Sequence, residues 1–227
     1  MQVHQFHRWN VTPREAMQIQ AEVRSRVIAR GRMPHPRLVA GGDLAFEKES
    51  DILYAAVIVL SFPGLEPVEA LVCRDRVRFP YIPGLLSFRE APALLRLFAR
   101  LKHEPDVIFI DGHGRSHPRA AGIACHIGVL LDRPVIGCAK SLLTGTCEDP
   151  TRSRGSVTYL YDDKGRSIGA AVRTRDRVKP VFVSIGHRIS LAEAIRLTLA
   201  CGKGYRIPEP TRRADLLAEQ AKRSARA

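Results

Sequence analysis

Four consecutive apolar residues, Val107 to Ile110, are the feature that most constrains the fold of this 227-residue chain. Because the run is β-branched and aromatic, it is typical of a strand buried on both faces in the middle of a partly parallel sheet. The acid Asp111 follows directly. Ligands of open α/β sheets bind beyond the carboxyl ends of such strands, so Asp111 is either a functional residue or the cap of a turn.

The segments around this run predict the rest of the sheet. Residues 38–46, 52–62 and 67–79, joined by short links, predict an antiparallel meander of three strands. Residues 120–131 predict a helix and residues 135–139 a strand, which together with the central run make one βαβ unit. A right-handed crossover makes the two strands of that unit parallel. The order resembles the ribonuclease H-like fold, an α/β fold with a mixed sheet of order 3-2-1-4-5 flanked by helices.

Capping signals predict the helices. Thr12 and Glu15 form a capping box, and Ser87 and Glu90 match a second one, although Pro92 favours a later start for that helix. Helix capping would by itself explain why a glutamate stands at position 90. The predicted helices span residues 12–30, 88–102, 190–201 and from 211 onward. An added hairpin is predicted at 156–161 and 167–173, and a further strand at 181–185.

Carboxylates are expected to meet at one edge of this sheet. Asp43 lies within the first strand and Asp111 ends the fourth, so the order 3-2-1-4-5 places them about 4.8 Å apart, one strand spacing. Two carboxylates that close repel each other unless a cation lies between them. Oxygen ligands with open positions suit Mg²⁺, or Mn²⁺ in its place. With Glu90 entering from the nearby helix, the pattern favours metal-assisted phosphoryl transfer, whereas an edge strand with Asp43 facing water is the non-functional alternative.

Composition indicates the kind of partner. The formal net charge of +13 favours an anionic polymer. The five cysteines are odd in number and lack C-x-x-C spacing, which argues against a disulfide framework or structural zinc. We find no signal peptide and no apolar run near the ~20 residues of a membrane span, so we expect a cytoplasmic protein without membrane association. Residues 1–212 are expected to form a single catalytic domain and residues 213–227 a basic C-terminal helix and tail.

Five motifs, spread in order over nearly the whole chain, resemble the endonuclease V family, repair nucleases that cut DNA beside deoxyinosine. They are VAGGDLAF at 39–46, FPYIPGLLSFRE at 79–90, DGHGRSHPR at 111–119, IGCAKSLLTG at 136–145 and RIPEPTRRAD at 206–215.

The resemblance implies catalytic roles. Asp43 and Asp111 are similar to the family's metal-binding aspartates, and Glu90 to its third acidic residue beside the metal and the attacking water. Lys140 matches a lysine near the scissile phosphate. Asp215 replaces a histidine that some members have near the metal. An aspartate there can ligate a second Mg²⁺ or hold a water, but it cannot supply positive charge.

The resemblance also implies a lesion-recognition region. Tyr81 is similar to a wedge that enters the duplex where the lesion leaves the stack. Gly112, Ile123 and Leu143 match positions around the pocket for the flipped hypoxanthine, and His117 matches a histidine of the active-site loop.

The implied activity is Mg²⁺-dependent hydrolysis of the second phosphodiester 3′ to deoxyinosine, leaving 3′-hydroxyl and 5′-phosphate ends. The partner would be double- or single-stranded DNA that contains deoxyinosine, bound by a monomer. Alternatives are a related nuclease acting on inosine in RNA or on branched and flap structures, a non-catalytic nucleic-acid-binding module, and a small-molecule α/β enzyme. The presence of all three acids weighs against the binding module, and the charge and lack of a nucleotide-binding glycine motif weigh against the small-molecule enzyme.

Overall fold

A computed structural model describes residues 1–48 and 50–225. In chain order the helices and strands are α1 Pro13–Arg26, β1 Leu38–Phe46, β2 Ile52–Ser61, β3 Pro67–Arg76, α2 Leu86–Arg100, β4 Val107–Ile110, α3 Ile123–Leu131, β5 Val135–Ala139, β6 Val157–Tyr161, β7 Ser167–Val172, β8 Val181–His187, α4 Leu191–Ala200 and α5 Glu209–Ser224.

All the strands join one mixed sheet in the order β3-β2-β1-β4-β5-β8-β7-β6. The predicted order 3-2-1-4-5 is therefore confirmed, and the predicted hairpin extends the same sheet through β8. Strands β1, β4 and β5 are parallel, whereas β2 and β8 run antiparallel to their neighbours. The carboxyl ends of β1, β4 and β5 consequently share one edge of the sheet, which we call the carboxyl edge.

The central strand β4 is buried on both faces, as its composition predicts. Ile108 and Ile110 pack into one core with α2 and α3, whereas Val107 and Phe109 pack into a second core with α4 and α5. This division follows from the two-residue period of a strand, which sends alternate side chains to opposite faces. Helices therefore cover both faces of the sheet, and α1 lies outside α3.

Two sequence-based expectations about local structure are wrong. Helix α2 begins at Leu86 with no side-chain cap, so neither the capping box nor a start at Pro92 is correct. Ser87 is buried and Glu90 points into the protein, because the apolar face of the helix extends through its first turn. The first helix has the predicted Thr12 capping box but ends at Arg26, since Val27 is already extended.

The last helix, α5, packs against β1 and β2 at the carboxyl edge. It starts at Glu209, two residues before the predicted start. Residues 212 and 213, the expected boundary between catalytic domain and C-terminal helix, therefore lie within one continuous helix. Gly41 allows the approach, because a Cβ there would lie 1.9 Å from the carbonyl oxygen of Pro210. Arg226 and Ala227, the end of the predicted basic tail, lie outside the described residues. Within residues 1–48 and 50–225, no helix is long and apolar enough to cross a bilayer.

Candidate active site

The carboxyl edge brings together the acidic residues that the sequence singles out. Gly42 is in register with Ile110, and the N–H of Asp111 donates to the Gly42 carbonyl at 3.3 Å, so Asp43 and Asp111 lie on neighbouring strands as predicted. Asp43 is on an interior strand, so the alternative of an edge strand facing water is excluded.

Lys140, which follows β5, reaches into this group of acids. Its Nζ lies 2.5 Å from Asp111 Oδ2, 4.0 Å from Asp43 Oδ2 and 3.5 Å from Asp215 Oδ1. Burial lowers the pKa of Lys140, but attraction to Asp111, Asp43 and Asp215 outweighs it and raises the pKa above its ordinary value. The predicted catalytic residues are thus contributed by β1, by α2, by the segments that follow β4 and β5, and by α5.

A negative charge on the buried acids Asp43 and Glu90 would be incompletely stabilised. Asp43 Oδ1 accepts the Leu44 N–H at 2.7 Å, whereas Oδ2 is buried and has no hydrogen-bond partner among the described residues. Burial, and secondarily the charge of Asp111, raise the pKa of Asp43 to about 9. The same two causes raise the pKa of Glu90 to about 8. A carboxyl in such surroundings favours its charged form only when a cation comes close.

These residues fit a divalent cation. Asp43 offers an unpartnered oxygen, and the Lys140 ammonium already lies beside both aspartates. Mg²⁺ is usually held by one or two carboxylates, with water and substrate phosphates filling its other positions. No three His, Cys, Asp or Glu side chains form a metal-holding group within the part of the chain that the structure describes. Asp43 and Asp111, on neighbouring strands, are the two residues that would hold such an ion.

A cavity of about 280 Å³ opens beside the carboxylates. It is lined by every residue that the sequence assigns to lesion recognition, namely Tyr81, Gly112, His117, Ile123 and Leu143. The Tyr81 side chain is 71% exposed at its mouth. Gly112 has a φ of +146°, and a Cβ there would lie 2.7 Å from Ile123 Cγ2, so only glycine fits between the strand end and the cavity.

The loop that carries Tyr81 is anchored through one carbonyl oxygen, that of Gly84. This oxygen accepts from Gln20 Nε2 at 2.8 Å, from Arg119 Nη2 at 2.6 Å and from His117 Nε2 at 3.1 Å. Burial, with a further contribution from Arg119, lowers the pKa of His117 to about 4. His117 is therefore neutral near pH 7 and ties the two loops together as a hydrogen-bonding group.

Gln20 is a site residue that sequence reasoning missed. It is fully buried on α1, where it also donates to the Ala121 carbonyl and accepts from Arg119. Its signal was present in the sequence, because a glutamine stands in the helix stripe formed by Ala16, Ile19 and Val23. A polar residue in an apolar stripe indicates a buried hydrogen-bonding partner.

The sheet order and the acidic edge define a class of protein, the nucleases of ribonuclease H-like fold. Comparisons with known proteins identify the family. A model of the family Endonuclease V matches residues 21–216. An endonuclease V from Roseiflexus sp. is 50% identical over 214 residues, which cover 94% of this chain and 95% of the relative.

Solved structures agree with that assignment. An endonuclease V from Streptomyces avermitilis is 43% identical and matches with a TM-score of 0.91 over 100% of both chains. An endonuclease V from Ciona intestinalis, in complex with a 23mer DNA containing an inosine followed by a ribo-adenosine, is 27% identical, with a TM-score of 0.82 over 95% of this chain and 100% of that one. The chain belongs to the endonuclease V family.

Proposed function

We propose that this protein is a Mg²⁺-dependent endonuclease that recognises deoxyinosine by base flipping and hydrolyses the second phosphodiester on its 3′ side. The observation that carries the proposal is the direct joining of two sites. Asp111 belongs to the cluster of acids around Lys140, and the next residue, Gly112, lines the cavity that Tyr81 also lines. If a base is held in that cavity, the backbone of its strand would lie beside the carboxylates.

Recognition follows from the cavity and the loop above it. Flipping costs a few kcal/mol, and it costs least for a poorly paired base such as hypoxanthine. Tyr81, exposed on a loop stiffened by Pro80 and Pro83, would fill the space that the base leaves. The tight backbone at Gly112 would exclude the exocyclic amino group that distinguishes guanine from hypoxanthine. Adenine would present a donor where hypoxanthine has an acceptor.

Hydrolysis would use the charged residues at the carboxyl edge. A bound Mg²⁺ supplies an activated water and neutralises phosphate charge. Asp43 and Asp111 would hold the ion, and Glu90, whose pKa burial raises to about 8, would accept a proton from the attacking water. The Lys140 ammonium would stabilise the negative charge that develops on the phosphate. Asp215, 3.5 Å from Lys140, would orient that ammonium or a water.

Inosine in RNA is a second candidate substrate. The DNA bound to the Ciona relative carries a ribo-adenosine directly after its inosine, which supports tolerance of a ribonucleotide next to the lesion in this family. Contacts to the 2′-hydroxyl are what would separate the two substrates.

The test is cleavage of a duplex with one deoxyinosine in Mg²⁺ and in chelator, beside an otherwise identical duplex with deoxyadenosine. We expect cutting only with deoxyinosine and Mg²⁺, at the second phosphodiester 3′ to the lesion. Cutting that persists in chelator, or that is equal on both duplexes, would contradict the proposal. The same strand sequence in RNA tests the second candidate.

A further inference from the structure

The 280 Å³ cavity lined by Tyr81 and Gly112 is here called the lesion cavity. A second and larger concavity, of about 690 Å³, adjoins it at Ser141 and is lined by Lys140. We call it the basic cleft. It runs from the end of β5 across the start of β8 to the loop between β7 and β8. The basic residues that line it are Lys140, Arg152, Arg173, Arg177, Lys179 and Arg206, and Asp149 is its one acidic lining residue among those described.

The basic cleft continues directly from the proposed active site. Ser141 lines both the lesion cavity and the basic cleft, and Lys140 lines the cleft while contacting Asp111. Lesion cavity, carboxylates and basic cleft therefore follow one another along the carboxyl edge. A strand that leaves the lesion cavity past Lys140 would enter the cleft next.

Two buried or half-buried arginines build the walls of this cleft. Arg173 is only 4% exposed and donates to the carbonyls of Thr151, Pro150 and Val178 and to the Asp149 carboxylate. These bonds fix both sides of the cleft and neutralise its acid.

Arg206 links the cleft wall to the catalytic group. It donates to the carbonyls of Lys140, Lys179 and Pro180. The backbone at Lys140 is therefore held to the loop on the far side of the cleft.

Three further cations project into the cleft with no acid to neutralise them. Arg152, Arg177 and Lys179 are exposed, and within residues 1–48 and 50–225 none of their side chains makes a hydrogen bond or ion pair. The backbone N–H of Arg177 donates to the Arg152 carbonyl at 2.8 Å, so two of these residues are held side by side. Other exposed arginines of this chain are paired with acids, for example Arg188 with Asp132.

We propose that the basic cleft binds the phosphates of the nucleic-acid strand on the 3′ side of the cut. The direction rests on the proposed function, because the scissile phosphate is 3′ to the flipped base, and Lys140, which that function places at the phosphate, lines the cleft next to Ser141, the residue that the cleft shares with the lesion cavity. Guanidinium and ammonium groups that track a backbone without reading bases give sequence-independent affinity. The cleft holds the strand beyond the cut so that the scissile phosphate stays at Lys140.

The test uses two triple variants of the full chain that remove the same charge. The cleft variant is Arg152→Gln, Arg177→Gln, Lys179→Gln. The control is Arg37→Gln, Arg100→Gln, Lys102→Gln, whose exposed side chains lie near the starts of β1 and β4, at the opposite edge of the sheet. Thermal unfolding of both variants is compared first, and it should match the wild type because all six side chains are exposed.

Binding is then measured in chelator with single strands that carry one inosine. The 5′ side is kept constant, and the strand extends 3′ of the cut by about 4 or about 16 nucleotides. We expect the cleft variant to lose at least about 10-fold in affinity for the long strand, with a salt slope lower by about 2. The control variant should keep the wild-type preference for the long strand.

Three results would overturn the proposal. They are an equal loss on short and long strands, a loss that follows extension of the 5′ side instead, and an equal loss in the control variant. Wild-type cleavage at deoxyinosine in Mg²⁺ is measured separately. Its absence would reject the proposed function, whereas a charge-dependent loss of binding to the long strand would still locate a phosphate-binding surface in the cleft.

Discussion

Glu209 and Glu90 are both buried glutamates on helices, and their surroundings have opposite effects. Glu209 is 1% exposed at the start of α5, where its carboxylate binds the Nε atoms of Arg212 and Arg213, each at 2.6 Å. Burial raises its pKa, but these two partners outweigh burial and the pKa is lowered. Glu90, 8% exposed, makes no hydrogen bond among the described residues, and burial raises its pKa to about 8.

The difference separates scaffold from candidate site. Buried charges that hold the fold, such as Glu209 and Arg173, have hydrogen-bond partners within the protein. The buried carboxyls of the proposed site are less well partnered: Glu90 makes no hydrogen bond among the described residues, Asp43 Oδ2 makes none either, and the charge of Asp111 raises the pKa of both. A protein retains such an arrangement at a cost in stability when the missing partner is a ligand, which in the proposed function is a divalent cation with its phosphate.

The largest effect is expected for Asp111→Asn. Loss of a proposed ligand should cost more than the 10–100-fold that outer partners of a metal typically contribute, so we expect cleavage to fall by about 1,000-fold or more. Binding of inosine-containing DNA in chelator should be largely retained, because phosphate contacts persist. Single-turnover cleavage with the wild type alongside is the measurement, and equal rates would remove Asp111 from the proposed ligands.

Glu209→Gln should cost about 2–3 kcal/mol in free energy of unfolding, somewhat less than a fully buried pair because Arg212 and Arg213 are partly exposed. Glu219→Gln, on the same helix, is the control: the Glu219 side chain is 37% exposed, its partner Lys222 is half-buried, and the change should cost less than about 1 kcal/mol.

Asp43→Asn should leave the free energy of unfolding unchanged or raise it, because it replaces a buried carboxyl that has one oxygen without a hydrogen-bond partner and that lies near Asp111. Urea unfolding in chelator measures all three variants. A large loss for Asp43→Asn would break the distinction between the two kinds of buried acid.

Gln20→Leu tests a buried polar residue that has hydrogen-bond partners within the protein and yet belongs to the proposed site. It removes one donor to the Gly84 carbonyl and leaves those of Arg119 and His117, and it also removes the hydrogen bonds of Gln20 with the Ala121 carbonyl and Arg119 Nε. Since a net hydrogen bond contributes about 1 kcal/mol, we expect lesion-specific affinity to fall by roughly 5- to 10-fold, with binding to undamaged duplex unchanged. Gln18→Leu, at an exposed position of the same helix, should change neither. An equal loss on both duplexes would mean that Gln20 supports only the fold.

His126 is a buried residue outside the proposed site that has one ring nitrogen without a hydrogen-bond partner. It is fully buried with Nδ1 unpartnered, and its Nε2 lies 2.7 Å from His7 Nε2. Burial, together with His7, lowers the pKa of His126 well below 6.5, and burial lowers that of His7. The contribution of this pair to stability is therefore complete above pH 6.5 and decreases as pH falls below it, by up to about 1.4 kcal/mol per pH unit for each histidine.

Urea unfolding between pH 7.5 and pH 5 measures that slope. His126→Gln should show a shallower slope than the wild type, whereas the exposed His35→Gln should keep it. Identical slopes for all three proteins would show that the imidazole pair is solvated.

The sequence predicts the sheet and the meeting of Asp43 with Asp111 because strand order alone determines which ends are neighbours. It does not predict the environment of Glu90, since a glutamate three residues after Ser87 fits a helix cap equally well. The sequence also does not predict the basic cleft or the anchoring of the Tyr81 loop by Gln20. Both join residues that are far apart in the chain, such as Gln20 with Gly84 and Lys140 with Arg206, and only tertiary packing creates them.

The central claim is that Asp43 and Asp111 at the carboxyl edge hold a divalent cation. The direct measurement is the melting temperature in increasing Mg²⁺ at constant ionic strength, for the wild type, Asp43→Asn and the scaffold variant Glu209→Gln. An ion bound only by the folded protein stabilises it by RT ln(1 + [Mg²⁺]/Kd). We expect the melting temperature to rise with Mg²⁺ in the wild type and by the same increment in Glu209→Gln, but not in Asp43→Asn. An equal rise in all three proteins, or none in the wild type, would contradict the claim.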